Sequence, residues 1–290
     1  MTEPTHLVTE GGRCDTASAP VATSGVRRAG CQLFAVVGDP ETVCMADAVF
    51  ATFDSVSTPS DAPGVAIYRT RRDRHAINVS VDGLGTERRT IGGVLDFIQW
   101  HLNQRLVSGL GGSHTGLHAA CASRRGSTVL LPAVSGAGKS TTVAGLARAG
   151  WDYLSDEAAV IETSTGRILP YAKPITIDHG AWSLFPEIVP RAPATDSWLV
   201  PATQLGAEVG APARASYVVF PQYTDGARTR LCRLSPGAVA MELASCTFSF
   251  RDHGGVHLRR VAAIAREVPG LRMTIGDLDD AVEVLEELVG

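Results

Sequence analysis

The residues with the most specific chemical meaning are the octet Ala133-Val-Ser-Gly-Ala-Gly-Lys-Ser140. They fit the phosphate-binding pattern G-x-x-x-x-G-K-[ST] at every fixed position except the first, where Ala133 stands for Gly. Glycines at 136 and 138 let the backbone turn its N–H groups inward around phosphate oxygens, an approach that a Cβ would obstruct. Lys139 offers a point charge to the β- and γ-phosphates of ATP, and the Ser140 hydroxyl offers a ligand to Mg²⁺. A helix starting at this point adds the positive end of its dipole. Ser135, Gly136, Ala137, Gly138, Lys139, Ser140 and Thr141 are therefore the expected nucleotide contacts. Position 133 needs only a compact side chain, so its Ala is compatible with the loop.

Transfer chemistry also needs acids. Asp156-Glu157 comes sixteen residues after Ser140, behind the apolar Tyr153-Leu154. One carboxylate of such a pair can hold Mg²⁺ beside Ser140, and the other can take the proton of an attacking hydroxyl. Asp156 is the first choice for the metal, although the residues alone leave the division of the two roles open. A cation must also steady the charge on a transferring phosphoryl group. Lys173, Arg191, Arg214 and Arg251 are all candidates for it.

These groups meet only if a strand delivers the loop and a helix follows it. The apolar run Thr128–Leu131 leads into the octet, a helix is expected from Ser140 to Ala149, and Gly150 stops it. Trp151–Leu154 reads as the next strand and ends at the acids. Further strands are expected at 158–162, 175–177 and 216–220, and helices at 236–244, 256–267 and 277–288. The loop is thus expected at the carboxyl end of a strand in an α/β sheet, where such folds place ligands.

Upstream, residues 1–30 are rich in Thr, Ser, Gly, Ala and Pro without periodicity and read as a mobile tail. Strand patterns at 31–37, 64–68 and 75–81, the last ending in the Asp82-Gly83 turn signal, accompany helices expected at 40–53 and 90–106. Residues 31–107 therefore read as a small α+β lobe, and 108–290 as the nucleotide-binding domain. The Gly/Ser cluster within 107–117 is expected to act as a hinge that lets the two lobes close on an acceptor.

The motifs resemble those of the HPr kinase/phosphorylase family, and more closely the HPr-kinase-related enzymes of peptide-tailoring gene clusters. That pattern has a His fifteen residues before the loop, as His118 stands to Ala133. It continues with G-x-S-G-x-G-K-S and an acidic pair after the next strand, here Asp156-Glu157. Leu117-His118-Ala119-Ala120, Lys173-Pro174-Ile175 and the segment from Val268-Pro269 to Asp279 are similar as well. The resemblance spans about residues 30–290. It implies a phosphoenolpyruvate-carboxykinase-like P-loop fold and ATP-dependent phosphorylation of a seryl hydroxyl on a peptide or protein. It also implies a place for His118 near the γ-phosphate, and it leaves room for oligomers.

Two departures qualify it. Glu157 replaces the usual second Asp, and the Arg/Gly-rich segment of true HPr kinases is missing after residue 174, so kinase activity without efficient phosphorolysis is expected. A kinase acting on free serine and a nucleotide-responsive regulator that transfers nothing are the alternatives. A Ras-like or ABC-type NTPase fits less well, because the acids follow the loop helix at once and no guanine-selecting Asn-Lys-x-Asp occurs.

Composition limits the partners. Lys+Arg 26 against Asp+Glu 30 gives a net charge of −4, with no general attraction to nucleic acid or anionic lipid. Six scattered cysteines form no C-x-x-C pair, which points to a reducing compartment rather than a zinc site or disulfide scaffold. No apolar run reaches the length of a membrane span and no signal-peptide pattern opens the chain, so a cytoplasmic protein is expected.

Overall fold

A computed structural model describes residues 21–192, 196–248 and 250–290, with the side chains of 250–253 left aside. The chain is a mixed α/β protein built on two large sheets. In chain order the first lobe contains β1 (Ala22–Thr23), β2 (Val26–Ala29), β3 (Gln32–Gly38), α1 (Pro40–Val49), β4 (Asp54–Val56), β5 (Val65–Arg72), β6 (Ile77–Val81), β7 (Leu84–Arg88) and α2 (Ile91–Gly109). The second lobe contains β8 (His114–Arg124), β9 (Ser127–Pro132), α3 (Lys139–Arg148), β10 (Asp152–Ser155), β11 (Ala158–Glu162), β12 (Ile168–Leu169), β13 (Ile175–Asp178) and β14 (Ser197–Val200). It continues with β15 (Tyr217–Tyr223), β16 (Arg230–Arg233), α4 (Pro236–Ser245), α5 (Phe250–Glu267), β17 (Gly270–Ile275) and α6 (Leu278–Val289).

The first sheet runs β4-β2-β3-β5-β6-β7 with β1 on β3, and among these pairings only β3 and β5 are parallel. Its strands alternate, so one face carries Phe34, Val36, Ala66, Tyr68, Ile77 and Val79 into a core with α1 and α2. The other face stays with Arg69, Arg71 and Ser80 in solvent. Helix α2 begins where the Thr90 side chain accepts from Gly93 N, an ordinary N-cap.

The second sheet runs β12-β11-β8-β9-β15-β17-β16, with β10 also on β8. Its central strands are apolar on both faces. Ala120, Ala122, Val129, Leu131 and Val219 face α3 and α6, while Ala119, Cys121, Leu130, Val218 and Phe220 face α4 and α5. The result is a three-layer sandwich, and burial on both sides explains the unbroken apolar runs. Parallel pairing is confined to β9–β15 and β15–β17, both of which need a crossover helix.

Two expectations about the connections change. Residues 21–30 are not tail, because β1 and β2 pair with β3 and Ala29 is fully buried; residues 1–20 lie outside the described chain. The Gly/Ser cluster is not a free hinge either. Helix α2 consumes Ser108 and Gly109, β8 begins at His114, and Leu110 between them is buried. Gly116 serves close packing, since a Cβ there would stand 2.4 Å from Leu110 Cδ1 and 3.1 Å from Phe248 Cδ2. The lobes also share one core, because Ala158, Val160 and Tyr171 join the cluster of the first lobe.

Candidate active site

Strand register brings the predicted residues together. β8 lies between β9 and β11: Ala119 opposes Pro132 on one side, and His118 opposes Ala158 on the other. The fifteen-residue step from His118 to Ala133 is thus the register of a β-hairpin, closed by Ala133 N donating to His118 O at 3.3 Å. The same strand carries Ala119 N to Glu157 O at 3.3 Å. Loop, histidine and acidic pair converge because one strand touches all three.

The loop leaves β9 and enters α3 through glycines that hold positive φ, 81° at Gly136 and 97° at Gly138. A Cβ at Gly136 would meet nothing within 4 Å, so the need for glycine there is conformational. No side chain caps α3; Gly138 occupies the N-cap position, and Thr142 alone returns N–H and hydroxyl bonds to Gly138 O. The first N–H groups of the helix are consequently available to an anion. Ser135 and Gly136 are exposed, and Ala137, Gly138, Ser140 and Thr141 are half-buried. Tyr223 N donates to Ala137 O at 3.3 Å, which ties the loop to the end of β15.

Lys139 is folded back over its own loop, with Nζ donating to Ala133 O and Val134 O, both at 2.9 Å. Burial lowers its pKa, and the charges of Glu157 and Asp156 pull it partly back.

The two acids have different surroundings. Asp156 is 1% exposed, and its Oδ2 accepts from Lys173 Nζ at 2.9 Å and from Thr176 N at 3.0 Å. Its Oδ1 is buried without a protein partner. Glu157 is half-buried, and His118 Nε2 lies 3.2 Å from its Oε1. Burial raises the Glu157 pKa, but the His118 hydrogen bond and the charges of Lys173, His118 and Lys139 outweigh it and leave the carboxyl below its ordinary range. On its other side the His118 ring packs on Phe248 with centroids 5.9 Å apart.

Lys173 occupies a different place from the one expected of a phosphate-steadying cation. It is 1% exposed, and Nζ is spent on Asp156 Oδ2, Pro174 O and Thr176 Oγ1. Arg214 stands beside Gly166 in the turn beyond β11, at the end of that strand remote from the loop. Arg191 is exposed, and the side chain of Arg251 lies outside the described residues.

Four residues not singled out in the sequence complete the surroundings. Gln99 of α2 donates from Nε2 to Thr176 Oγ1 at 2.9 Å. Asp96, one turn earlier on α2, has its pKa raised to about 6 by burial, with Arg88 and Lys173 opposing and Asp178 adding. Asp178 is raised too, by burial and then by the charge of Asp156. No local signal marks these residues, since contact across the lobes couples positions 77 apart in the chain.

Among the described residues no group of three or more His, Cys, Asp or Glu side chains is arranged to hold a metal. Mg²⁺ asks for less, because it typically takes one or two carboxylates and completes its shell with phosphate oxygens and water. The orphaned Asp156 Oδ1, beside a loop that carries Ser140, fits that requirement. The five described cysteines are free thiols, Cys14 lying outside. Among the described residues no helix is long and apolar enough to cross a membrane. A scan against protein-family profiles finds no match, and a search of curated proteins finds no significant relative.

Proposed function

We propose that this chain is an ATP-dependent kinase of the HPr-kinase-like type, with a phosphoenolpyruvate-carboxykinase-like P-loop domain, and that it phosphorylates a seryl hydroxyl of a peptide or protein. One observation carries the reading. Asp156 is buried with one oxygen fully engaged and the other without a partner, next to a strand–glycine loop–helix unit. Leaving an acceptor unsatisfied in the interior costs about 1–3 kcal/mol, and a cation bound in function would remove that cost.

In this reading the backbone N–H groups of 136–141 and the Lys139 ammonium hold the β- and γ-phosphates. Asp156 Oδ1 and the Ser140 hydroxyl hold Mg²⁺, which when bound neutralises phosphate charge. Glu157 is the base. Its carboxylate is kept ionised by His118, it is more exposed than Asp156, and it has an oxygen to spare. The acceptor hydroxyl oxygen bonds to the γ-phosphorus as the bond to the β–γ bridging oxygen breaks. The hydroxyl proton passes to Glu157, and ADP leaves with the bridging oxygen. The difference in their surroundings, Asp156 buried with one free oxygen and Glu157 more exposed beside His118, supports assigning the metal to the first and the base role to the second.

The test mixes the protein with Mg-ATP, free serine and a panel of Ser-containing peptides, read by mass spectrometry beside Lys139→Ala. One added phosphoryl group on a peptide, absent from the Lys139→Ala reaction, is expected. Phosphoserine alone would move the protein to the small-molecule kinases. Wild-type protein that binds no Mg-ATP would end the reading.

A further inference from the structure

Among the described residues, three side-chain hydrogen bonds cross from the first lobe to the second, and all of them end on Tyr171–Thr176. Thr52 Oγ1 donates to Ala172 O at 2.6 Å, Tyr171 OH donates to Asn103 Oδ1 at 2.7 Å, and Gln99 Nε2 donates to Thr176 Oγ1 at 2.9 Å. The same short segment holds Asp156, through Lys173 Nζ and Thr176 N on Oδ2. The first lobe therefore grips the piece of chain that aims the orphaned carboxylate oxygen.

The contact at Thr176 is the one that joins the donors of Asp156. Its hydroxyl accepts from Gln99 and, at 3.3 Å, from Lys173, which uses both lone pairs. Gln99 is 7% exposed and its Oε1 has no partner. A residue whose only task was to glue two lobes together would be better apolar, because burying that carbonyl oxygen unsatisfied opposes folding. The amide earns its place only if its N–H direction matters, and what that N–H touches is the donor network of Asp156.

Resting on the Mg-ATP reading above, we infer that Gln99 of helix α2 is a positioning residue for Asp156. Acting through the Thr176 hydroxyl and Lys173, it makes the first lobe a part of the metal-binding apparatus. Gln99 touches neither nucleotide nor metal. It fixes the Thr176 oxygen, that oxygen and Asp156 share the Lys173 ammonium, and the ammonium sets which way Asp156 Oδ1 faces.

The experiment measures ATP binding by calorimetry to the full-length chain, in EDTA and across a Mg²⁺ titration. It uses wild type, Asp156→Asn, Gln99→Leu, Thr176→Val, Thr176→Ser and Thr52→Val. Asp156→Asn should lose the gain in ATP affinity that Mg²⁺ gives the wild type. Gln99→Leu and Thr176→Val should raise the half-saturating Mg²⁺ concentration about fivefold, the worth of one hydrogen bond, with metal-free ATP affinity unchanged. Thr176→Ser keeps the hydroxyl and should restore the wild-type value.

Thr52→Val breaks a lobe contact that bypasses the donors of Asp156. It should lower the melting temperature without moving the Mg²⁺ midpoint. Melting curves in EDTA identify any variant that fails to fold, and the Thr176 pair then decides alone. A Mg²⁺ midpoint within twofold of wild type in Gln99→Leu and Thr176→Val would reduce Gln99 to lobe glue and overturn the inference. Absence of Mg-ATP binding by the wild type would reject the nucleotide reading and this inference together.

Discussion

Lys173→Met is expected to be the most destabilising conservative change near the site. Lys173 and Asp156 are each 1% exposed, with Nζ and Oδ2 2.9 Å apart, so solvent screens neither charge. Methionine fills the aliphatic stem but leaves the buried Asp156 carboxyl without its cation and held only by Thr176 N. Removing one partner of a buried pair costs about 3–5 kcal/mol, because the other charge is left uncompensated. At about 2–4 °C per kcal/mol for a chain of this size class, the melting temperature should fall by about 10 °C. The assay is urea unfolding in EDTA without nucleotide, followed by circular dichroism for wild type, Lys173→Met, Asp156→Asn and the double variant. Since Asn carries no charge, the double variant should be more stable than the sum of the singles implies, with a coupling of about 2–3 kcal/mol. Additive single effects, or a Lys173→Met cost below about 1 kcal/mol, would show that the pair is not an isolated buried ion pair and would refute the reasoning.

Glu157→Gln should cut phosphoryl transfer about 100-fold or more while leaving ATP affinity within about twofold, as expected of a base that touches the acceptor rather than the nucleotide; quenched-flow or mass-spectrometric rates decide it. Asp96→Asn should stabilise the protein in a pH-dependent way. Its folded pKa of about 6 lies above the ordinary value of 3.8, so its ionisation opposes folding fully above pH 6 and not at all once the pH falls below the ordinary value. After discounting for partial exposure, a gain of about 1 kcal/mol is expected at pH 8 and none near pH 3.5, read from melting curves at both. Gly276→Ala should cost at least about 2 kcal/mol, because its Cβ would stand 1.6 Å from Ala227 O and 2.6 Å from the same residue's carbonyl carbon. Gly237→Ala, where nothing lies within 4 Å, should instead gain about 0.5 kcal/mol in the same denaturation assay.

The extent of agreement between sequence and structure follows from the range of the forces involved. The elements around the loop were legible because their signals are local. The expected strand at 128–131 is β9 at 127–132, and the expected helix at 140–149 is α3 at 139–148. Both are marked by an apolar run, by glycines at fixed offsets and by Gly150 with φ of 81° after the helix. The Asp82-Gly83 turn appears with φ of 49° and 81° between β6 and β7, because two residues with positive φ suit a tight hairpin. Strand β8 left no such mark. Its run Leu117-His-Ala-Ala-Cys-Ala122 consists mostly of small residues with little strand propensity, and it is a strand because β9, β10 and β11 all pair with it.

The sequence by itself determined the glycine-rich loop between β9 and α3, the presence of two acids and a histidine at fixed distances, and most helices, all of which depend on neighbours in the chain. Tertiary structure alone decided what each polar group meets. It turned Lys173 from a free cation into the buried partner of Asp156, separated the surroundings of Asp156 and Glu157, and brought Gln99 across 77 positions to Thr176. Burial and hydrogen-bond partners arise from packing between distant segments, and spacing along one chain carries no record of them.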